Sequence, residues 1–189
     1  IKDALGNSTV MEYDANGNLV SQTDRNGATT TYTYDALNRL TRTTDALGQV
    51  TEYAYDAVGN LVETTTPEGH KTASEYDDLN RAVSTTDALS RVTGYEYDSL
   101  GRMTKTTYAD GTSVSYTYDA NGRVLTAADE MGGVTTYTYD ANGQMLTSTD
   151  PMGGVTSYTY DANGNLTSMT DAAGTVTYTY DALNRVTSV

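Results

Sequence analysis

Polar and apolar residues alternate with a period of two through runs of five or six residues, and clusters of Asp, Gly and Asn cut the runs apart. Val50-Thr51-Glu52-Tyr53-Ala54-Tyr55 and Leu61-Val62-Glu63-Thr64-Thr65 are representative. β-branched and aromatic residues in that rhythm predict strands. No window places apolar residues at i, i+3, i+4 and i+7, and Thr, Gly and Asp are too dense for helix. The chain reads as strand, turn, strand, turn, and its short connections predict antiparallel pairing of consecutive strands.

The alternation is locked to a repeat. Tyr-Asp occurs nine times, as Tyr13-Asp14, Tyr34-Asp35, Tyr55-Asp56, Tyr76-Asp77, Tyr97-Asp98, Tyr118-Asp119, Tyr139-Asp140, Tyr160-Asp161 and Tyr180-Asp181. Seven of the eight spacings are 21 residues and the last is 20. These 18 residues are the structural signature of a unit whose copies start near residues 3, 24, 45, 66, 87, 108, 129, 150 and 171. Two turn signals mark each unit. One follows the Tyr directly, as in Asp14–Asn18 (DANGN) or Asp98–Arg102 (DSLGR). The other lies about ten residues before the next Tyr, as in Asp24–Gly27 (DRNG) or Asp45–Gly48 (DALG). Asp opens such turns because its carboxylate accepts bonds from backbone N–H groups just ahead, and Gly or Asn near the end tolerates positive φ. Nine units predict roughly 18 strands in one continuous antiparallel meander.

Charges fall on one parity. Counting from the Tyr of each Tyr-Asp pair, Glu12, Glu75 and Glu96 are at −1, Glu52 at −3, Lys71 at −5, and Arg42, Glu63 and Lys105 at +8. Positions 0, −2, −4, +7 and +9 carry no charge in any unit, so side-chain alternation predicts one wet face and one Tyr-Thr-Val face. Seven units read Tyr-x-Tyr, which would set two rows of Tyr along the second face. Equivalent rings in successive units lie about 9.6 Å apart, two strand spacings, so uncharged residues on the intervening strand are expected to fill the gap. Tyr keeps a polar tip, which suits a partly hydrated face. Position +6 is apolar in all nine units yet has the charged parity, and a bulge after the turn would bring it to the Tyr face. A flat single layer of 18 strands is unstable as an open sheet, so the sheet is expected to coil with the uncharged face inward. Nine units leave half a blade of a four-stranded propeller unfilled, and no leucine-rich pattern is present.

Composition narrows the function. Of 189 residues, 25 are acidic and 11 basic, for a net charge of −14. That charge repels phosphate backbones, so nucleic acid is not an expected partner. With no Cys and one His, neither a disulfide framework nor a multi-His metal site can be built. Apolar runs are only a few residues long, so no membrane insertion by this segment is expected. The opening Ile1-Lys2-Asp3 carries no signal-peptide pattern, and the chain reads as a fragment of a longer array. An acid repeated nine times is a structural device rather than a catalytic dyad, so no enzyme activity and no catalytic residues are expected. Asp14-Ala15-Asn16-Gly17-Asn18 resembles half of a calcium loop but lacks the rest of the ligand set, so the turn reading stands, with no metal site and no cofactor expected. His70 reads as a solvated turn residue and Tyr108 as a stand-in for a second-turn Asp.

The unit, seen most fully in Tyr118-Asp119-Ala120-Asn121-Gly122-Arg123 and Tyr97-Asp98-Ser99-Leu100-Gly101-Arg102, resembles that of the Rhs/YD-repeat family, and the resemblance covers the whole chain. It implies an all-β fold of tandem hairpins wound into a spiral sheet that encloses a hollow shell. It also implies a structural role: the wall of a shell that encapsulates or presents a C-terminal toxin polypeptide. Bacterial shells of this kind act in interbacterial competition, often through type VI secretion, or in insecticidal toxin complexes; the teneurin shell of animals is more distant. Secretion or display at a bacterial surface follows from the same resemblance. The partners implied are neighbouring repeats of the parent chain and an encapsulated toxin, with self-association through open sheet edges. Asp150-Pro151-Met152-Gly153 matches the DPxG motif tied to self-cleavage in such proteins, but it sits in the second-turn register with two further units after it, and reads as a turn with Pro at its favoured second position. The alternative functions are a carbohydrate-binding module using the Tyr face, which lacks the Trp usual in such hairpin repeats, and a stalk or filament built through sheet edges.

Overall fold

The computed structural model describes residues 8–189 and divides into two compact units, one up to Thr93 and one from Gly94 onward. The expected start of the first repeat near residue 3 lies outside the described residues. Every element among the described residues is a strand, and the strands pair antiparallel with their neighbours in sequence, as β1 does with β2 and β11 with β12. The first unit holds β1 (Val10–Tyr13), β2 (Leu19–Thr23), β3 (Thr29–Tyr34), β4 (Leu40–Thr44), β5 (Val50–Tyr55), β6 (Leu61–Thr65), β7 (Lys71–Tyr76) and β8 (Ala82–Thr86). β9 (Val92–Tyr97) begins at the division. The second unit continues with β10 (Met103–Thr107), β11 (Ser113–Tyr118), β12 (Val124–Ala128), β13 (Val134–Tyr139), β14 (Met145–Thr149), β15 (Val155–Tyr160) and β16 (Leu166–Asp171). It closes with β17 (Gly174–Thr177), β18 (Thr179–Tyr180) and β19 (Val186–Ser188). The all-β hairpin meander is therefore as expected, with 19 strands among the described residues rather than about 18 because the last Tyr-bearing strand is split at Tyr178.

Both turn signals build the same turn. In the first, the Asp119 N–H donates to the Arg123 carbonyl at 2.9 Å and the Gly122 N–H to the Asp119 carbonyl at 3.1 Å. In the second, the Asp24 N–H donates to the Ala28 carbonyl at 2.9 Å and the Gly27 N–H to the Asp24 carbonyl at 3.1 Å. This is a three-residue hairpin loop whose last residue takes the left-handed conformation. Asp150-Pro151-Met152-Gly153 forms the same turn, with Asp150 bonded to Gly154 at 2.8 Å. The Thr66 turn that contains exposed His70 and the turn at Tyr108 keep the backbone bonds without an opening Asp. At Tyr108 the Asp110 carboxylate takes the Thr112 N–H instead.

One turn breaks the residue rule. Ser90 has φ 61°, where the other second turns use Gly. A side chain there is strained by about 1 kcal/mol. Ser90→Gly should therefore raise stability by up to about 1 kcal/mol, read as a higher urea midpoint with an unchanged m-value. The shorter last spacing is also absorbed in a turn. Asp171 pairs directly with Gly174, and position +10 still faces position −5 through Thr170 and Thr175, as Thr149 faces Val155 one repeat earlier.

Every Tyr-bearing hairpin carries a bulge. Thr117 faces Thr126 and Tyr118 faces Val124, so Leu125 is passed over; Thr33/Arg42 and Tyr34/Leu40 pass over Thr41 in the same way. The bulge sets +6 opposite the Tyr, on the Tyr face. It also corrects the face of +7, which simple alternation placed with the Tyr residues. The Thr167 hydroxyl at +7 lies 2.8 Å from that of Thr159 at −1, and Thr187 meets Thr179 at the same distance. The extra residue turns +7 over to the charged face. The remaining charges lie as expected: Arg42 faces Glu52 across β4 and β5, and Lys105 faces Glu96 across β10 and β9.

No hydrophobic side chain is buried among the described residues, and among them only Thr106, opposite Tyr95, is buried. The Tyr residues at 0 and −2 are half-buried from Tyr32 onward, while every −1 residue is exposed. Each unit is thus a layer whose Tyr face is sheltered by its own neighbours. Cohesion must come from contacts between adjacent strands, because no second layer covers the face in these residues.

Candidate functional site

The repeated chemistry gathers where one hairpin meets the next. Each Tyr of a Tyr-Asp pair ends a strand, and at Tyr34, Tyr76, Tyr118, Tyr139 and Tyr180 its hydroxyl reaches back to the preceding hairpin. The Tyr118 hydroxyl donates to the Met103 carbonyl at 2.6 Å, and Met103 is the +6 residue of the preceding repeat. The same bond joins Tyr34 to Leu19 at 2.9 Å, Tyr76 to Leu61 at 3.1 Å, Tyr139 to Val124 at 2.8 Å and Tyr180 to Leu166 at 2.8 Å. The hydroxyl that sequence reasoning left to water therefore satisfies a backbone acceptor beside the bulge. Tyr13 has no preceding hairpin among the described residues; it is 58% exposed and its hydroxyl points to the Met11 sulfur at 3.4 Å. Tyr139 and Tyr160 have their phenol pKa raised chiefly by burial, with the charge of a neighbouring Tyr adding to it.

The nine Asp partners open the nine first turns. The Asp119 Oδ1 accepts the N–H groups of Asn121 at 2.8 Å and Arg123 at 3.0 Å, and its Oδ2 accepts the Arg123 Nε–H at 2.6 Å. One carboxylate thus fixes both the loop and the rotamer of the residue that leaves it. These bonds hold the carboxyls below the ordinary Asp range at Asp14, Asp35, Asp56, Asp77, Asp98, Asp119, Asp161 and Asp181. At Asp77 the Arg81 side chain is the largest cause, followed by the Arg81 N–H. At Asp56 and Asp98 desolvation is the largest single influence and opposes the shift, and the hydrogen bonds together overcome it. With both carboxylate oxygens engaged in the turn, the DANGN segments are complete as turns without a metal ion.

The residue that sequence reasoning missed is the Arg at +5. Arg102 bonds its own Asp98 through Nε at 2.6 Å, donates from Nη1 to the Asp119 carbonyl of the next repeat at 2.8 Å, and lies over the Tyr118 ring at 4.7 Å. Arg39 does the same to Asp35, Asp56 and Tyr55, and Arg123 to Asp119, Asp140 and Tyr139. So at these three junctions a cation covers the ring of the following repeat, in addition to the uncharged residues opposite the Tyr on the paired strand. A guanidinium can do this because it is planar, weakly hydrated and able to donate in its plane while stacking on its face. The signal was present in the sequence: Arg39, Arg81, Arg102, Arg123 and Arg185 all stand four residues after the turn Asp.

The junction at Arg102 therefore combines three sources of cohesion: the Tyr118 ring, its hydroxyl-to-carbonyl bond and the Arg clasp. Replacing Arg102 with Lys keeps the charge but loses the planar fork, and should lower the urea midpoint nearly as much as Arg102→Ala.

Comparisons with known proteins agree with this geometry. The RHS Repeat family model matches residues 13–48, 34–71, 76–113, 104–130, 118–155, 139–176 and 160–189. No curated protein is significantly similar to the chain in sequence. Among solved structures, that of TcdB2-TccC3-Cdc42 has a TM-score of 0.59 at 17% identity, over 94% of this chain and 12% of that one. TcdB2-TccC3-TEV has a TM-score of 0.53 at 17% identity, over 94% and 14%. The Photorhabdus luminescens Tc holotoxin pore has a TM-score of 0.50 at 18% identity, over 94% and 13%. These likenesses concern the fold, and the chain spans about an eighth of the length of the chains it resembles.

Proposed function

We propose, because this chain belongs to the RHS repeat family, that it is a length of wall in a hollow β-shell that encapsulates or presents a C-terminal toxin or effector polypeptide. The coarser role is that of a structural repeat segment of an Rhs-type protein. The single observation that supports the shell reading is that the sheet has a half-sheltered Tyr face with no second layer on it and no buried hydrophobic core among the described residues. A sheet of that kind needs its neighbours on both edges and gains by curving around something. The neighbouring repeats of a longer parent array and an enclosed polypeptide are the partners this role calls for. Secretion or surface display by a bacterium, with type VI export as one route, belongs to the same proposal.

The proposed role is not enzymatic in this segment, because the acid that recurs in every repeat is spent on a turn. The first-turn carboxylates of Asp35, Asp77 and Asp119 each engage both oxygens with their own loop. The experiment is electron microscopy of the longer parent chain. A closed wall around a lumen, with density inside that disappears when the C-terminal polypeptide is removed, is the expected result. A solid rod or a string of separate beads would contradict it.

A further inference from the structure

Two turn positions of successive repeats do not vary independently. The first is +5, the residue that leaves the first turn. The second is +4 of the next repeat, which takes positive φ. Where +5 is Asn, at Asn18, Asn60 and Asn165, the next +4 is also Asn, at Asn38, Asn80 and Asn184. Where +5 is Arg or Gln, at Arg39, Arg81, Arg102, Arg123 and Gln144, the next +4 is Gly. All eight junctions obey this, including the third, whose turns have drifted to DAVGN and DDLNR. Turn conformation alone does not explain the split, because Gly and Asn both adopt the left-handed region and both do so here, as at Gly122 with φ 86° and Asn38 with φ 60°.

The contacts give a reason. The Asn18 Nδ2 donates to its own Asp14 carboxylate at 2.9 Å and to the Asn38 Oδ1 at 2.8 Å. Asn60 does the same to Asp56 and Asn80 at 2.8 and 3.0 Å, and Asn165 to Asp161 and Asn184 at 2.9 and 2.9 Å. A Gly in the second place would leave that amide without its acceptor. In the other class the longer side chain occupies the space. A Cβ added at Gly143 would stand 3.7 Å from Nη1 of Arg123, and one at Gly164 would stand 3.3 Å from Nε2 of Gln144. The amide of an Asn there would compete with the guanidinium for its place between the next Tyr ring and the next Asp carbonyl.

We propose that +5 and the following +4 form a pairing code that decides which Tyr-Asp hairpin can follow which, and that the outer side of the last repeat is an interaction surface of the Arg class. Arg185 is held by Asp181 at 2.7 Å with 73% of its side chain exposed, and no Tyr-Asp hairpin follows it within the described residues. Its partner is a Tyr-Asp hairpin with Gly at the fourth position after the Tyr. A hairpin with Asn there is refused. This deepens the wall reading by naming what extends the wall, but the code stands or fails separately from any lumen or cargo.

The test is a set of thermal melts on the whole chain. Arg39→Asn and Gly59→Asn each lower Tm, and the double variant melts at least about 2 °C above the sum of the two single shifts. The reciprocal pair, Asn18→Arg with Asn38→Gly, behaves likewise and covers the case in which one variant fails to fold. For the outer edge, residues 149–169 are copied after Val189, which supplies a tenth hairpin carrying either the Gly164 equivalent or Asn in its place. The Gly form raises Tm more than the Asn form, and the order reverses in an Arg185→Asn chain. Additive single shifts at both internal junctions would overturn the code, and an unchanged order at the edge would overturn its extension to Arg185.

Discussion

Replacing Tyr118 with Ala should cost about 3 kcal/mol, and replacing it with Phe about 1 kcal/mol. The difference separates two contributions at one junction. Phe keeps the half-buried ring, its stacking against Arg102 at 4.7 Å and its place opposite Val124, but loses the 2.6 Å bond to the Met103 carbonyl. Ala loses the ring, its stacking and the bond together, and opens a hole on a face that has no second layer to collapse into it among the described residues. Urea unfolding followed by far-UV circular dichroism gives both numbers. Equal and small effects would mean that the junction Tyr residues decorate the sheet without joining its hairpins.

Acid should dismantle the array cooperatively. Eight first-turn carboxyls have their pKa depressed by the N–H and side-chain donors they accept, as Asp77 does from Arg81. A carboxyl depressed in the folded state binds protons more weakly than in the unfolded chain. Its contribution is therefore present above the ordinary Asp pKa of about 4 and is lost as pH falls through the lower folded value. The same device recurs in nearly every repeat, so the losses accumulate along the sheet. The urea midpoint should be flat from about pH 7 to pH 5 and fall steeply below about pH 4. An Asp77→Asn chain should start less stable and lose less on acidification. A midpoint that does not move between pH 7 and pH 3 would show that the turn carboxylates are not held by these bonds.

Much of the architecture could be read from the residues, because its determinants are local. The Asp-x-x-Gly spacing names the turn, Thr and Tyr name the strands, and the charges at −1, −3 and +8 name the wet face. What escaped is non-local. Alternation carried straight through the bulge puts Thr41 and Thr167 at +7 on the Tyr face, and the apolar +6 residues are the clue to a break in register. The Arg at +5 carries no signal of its target within its own turn, yet it reaches the following repeat, where Arg39, Arg102 and Arg123 stack on Tyr55, Tyr118 and Tyr139. The Tyr hydroxyl finds an acceptor that its own strand does not reveal: the Met103 carbonyl is 15 residues away in sequence, on the adjacent strand β10. Each miss belongs to the junction between repeats, which single-strand periodicity does not describe.

The junction is also where the central claim is most exposed to measurement. In solution, nuclear Overhauser contacts from the Tyr118 ring should reach the side chains of Arg102 and Met103 in the preceding repeat and Val124 across the bulge. Contacts from that ring to Glu96 or Lys105 on the charged face, or none beyond its own strand, would contradict hairpins stapled side by side through their tyrosines.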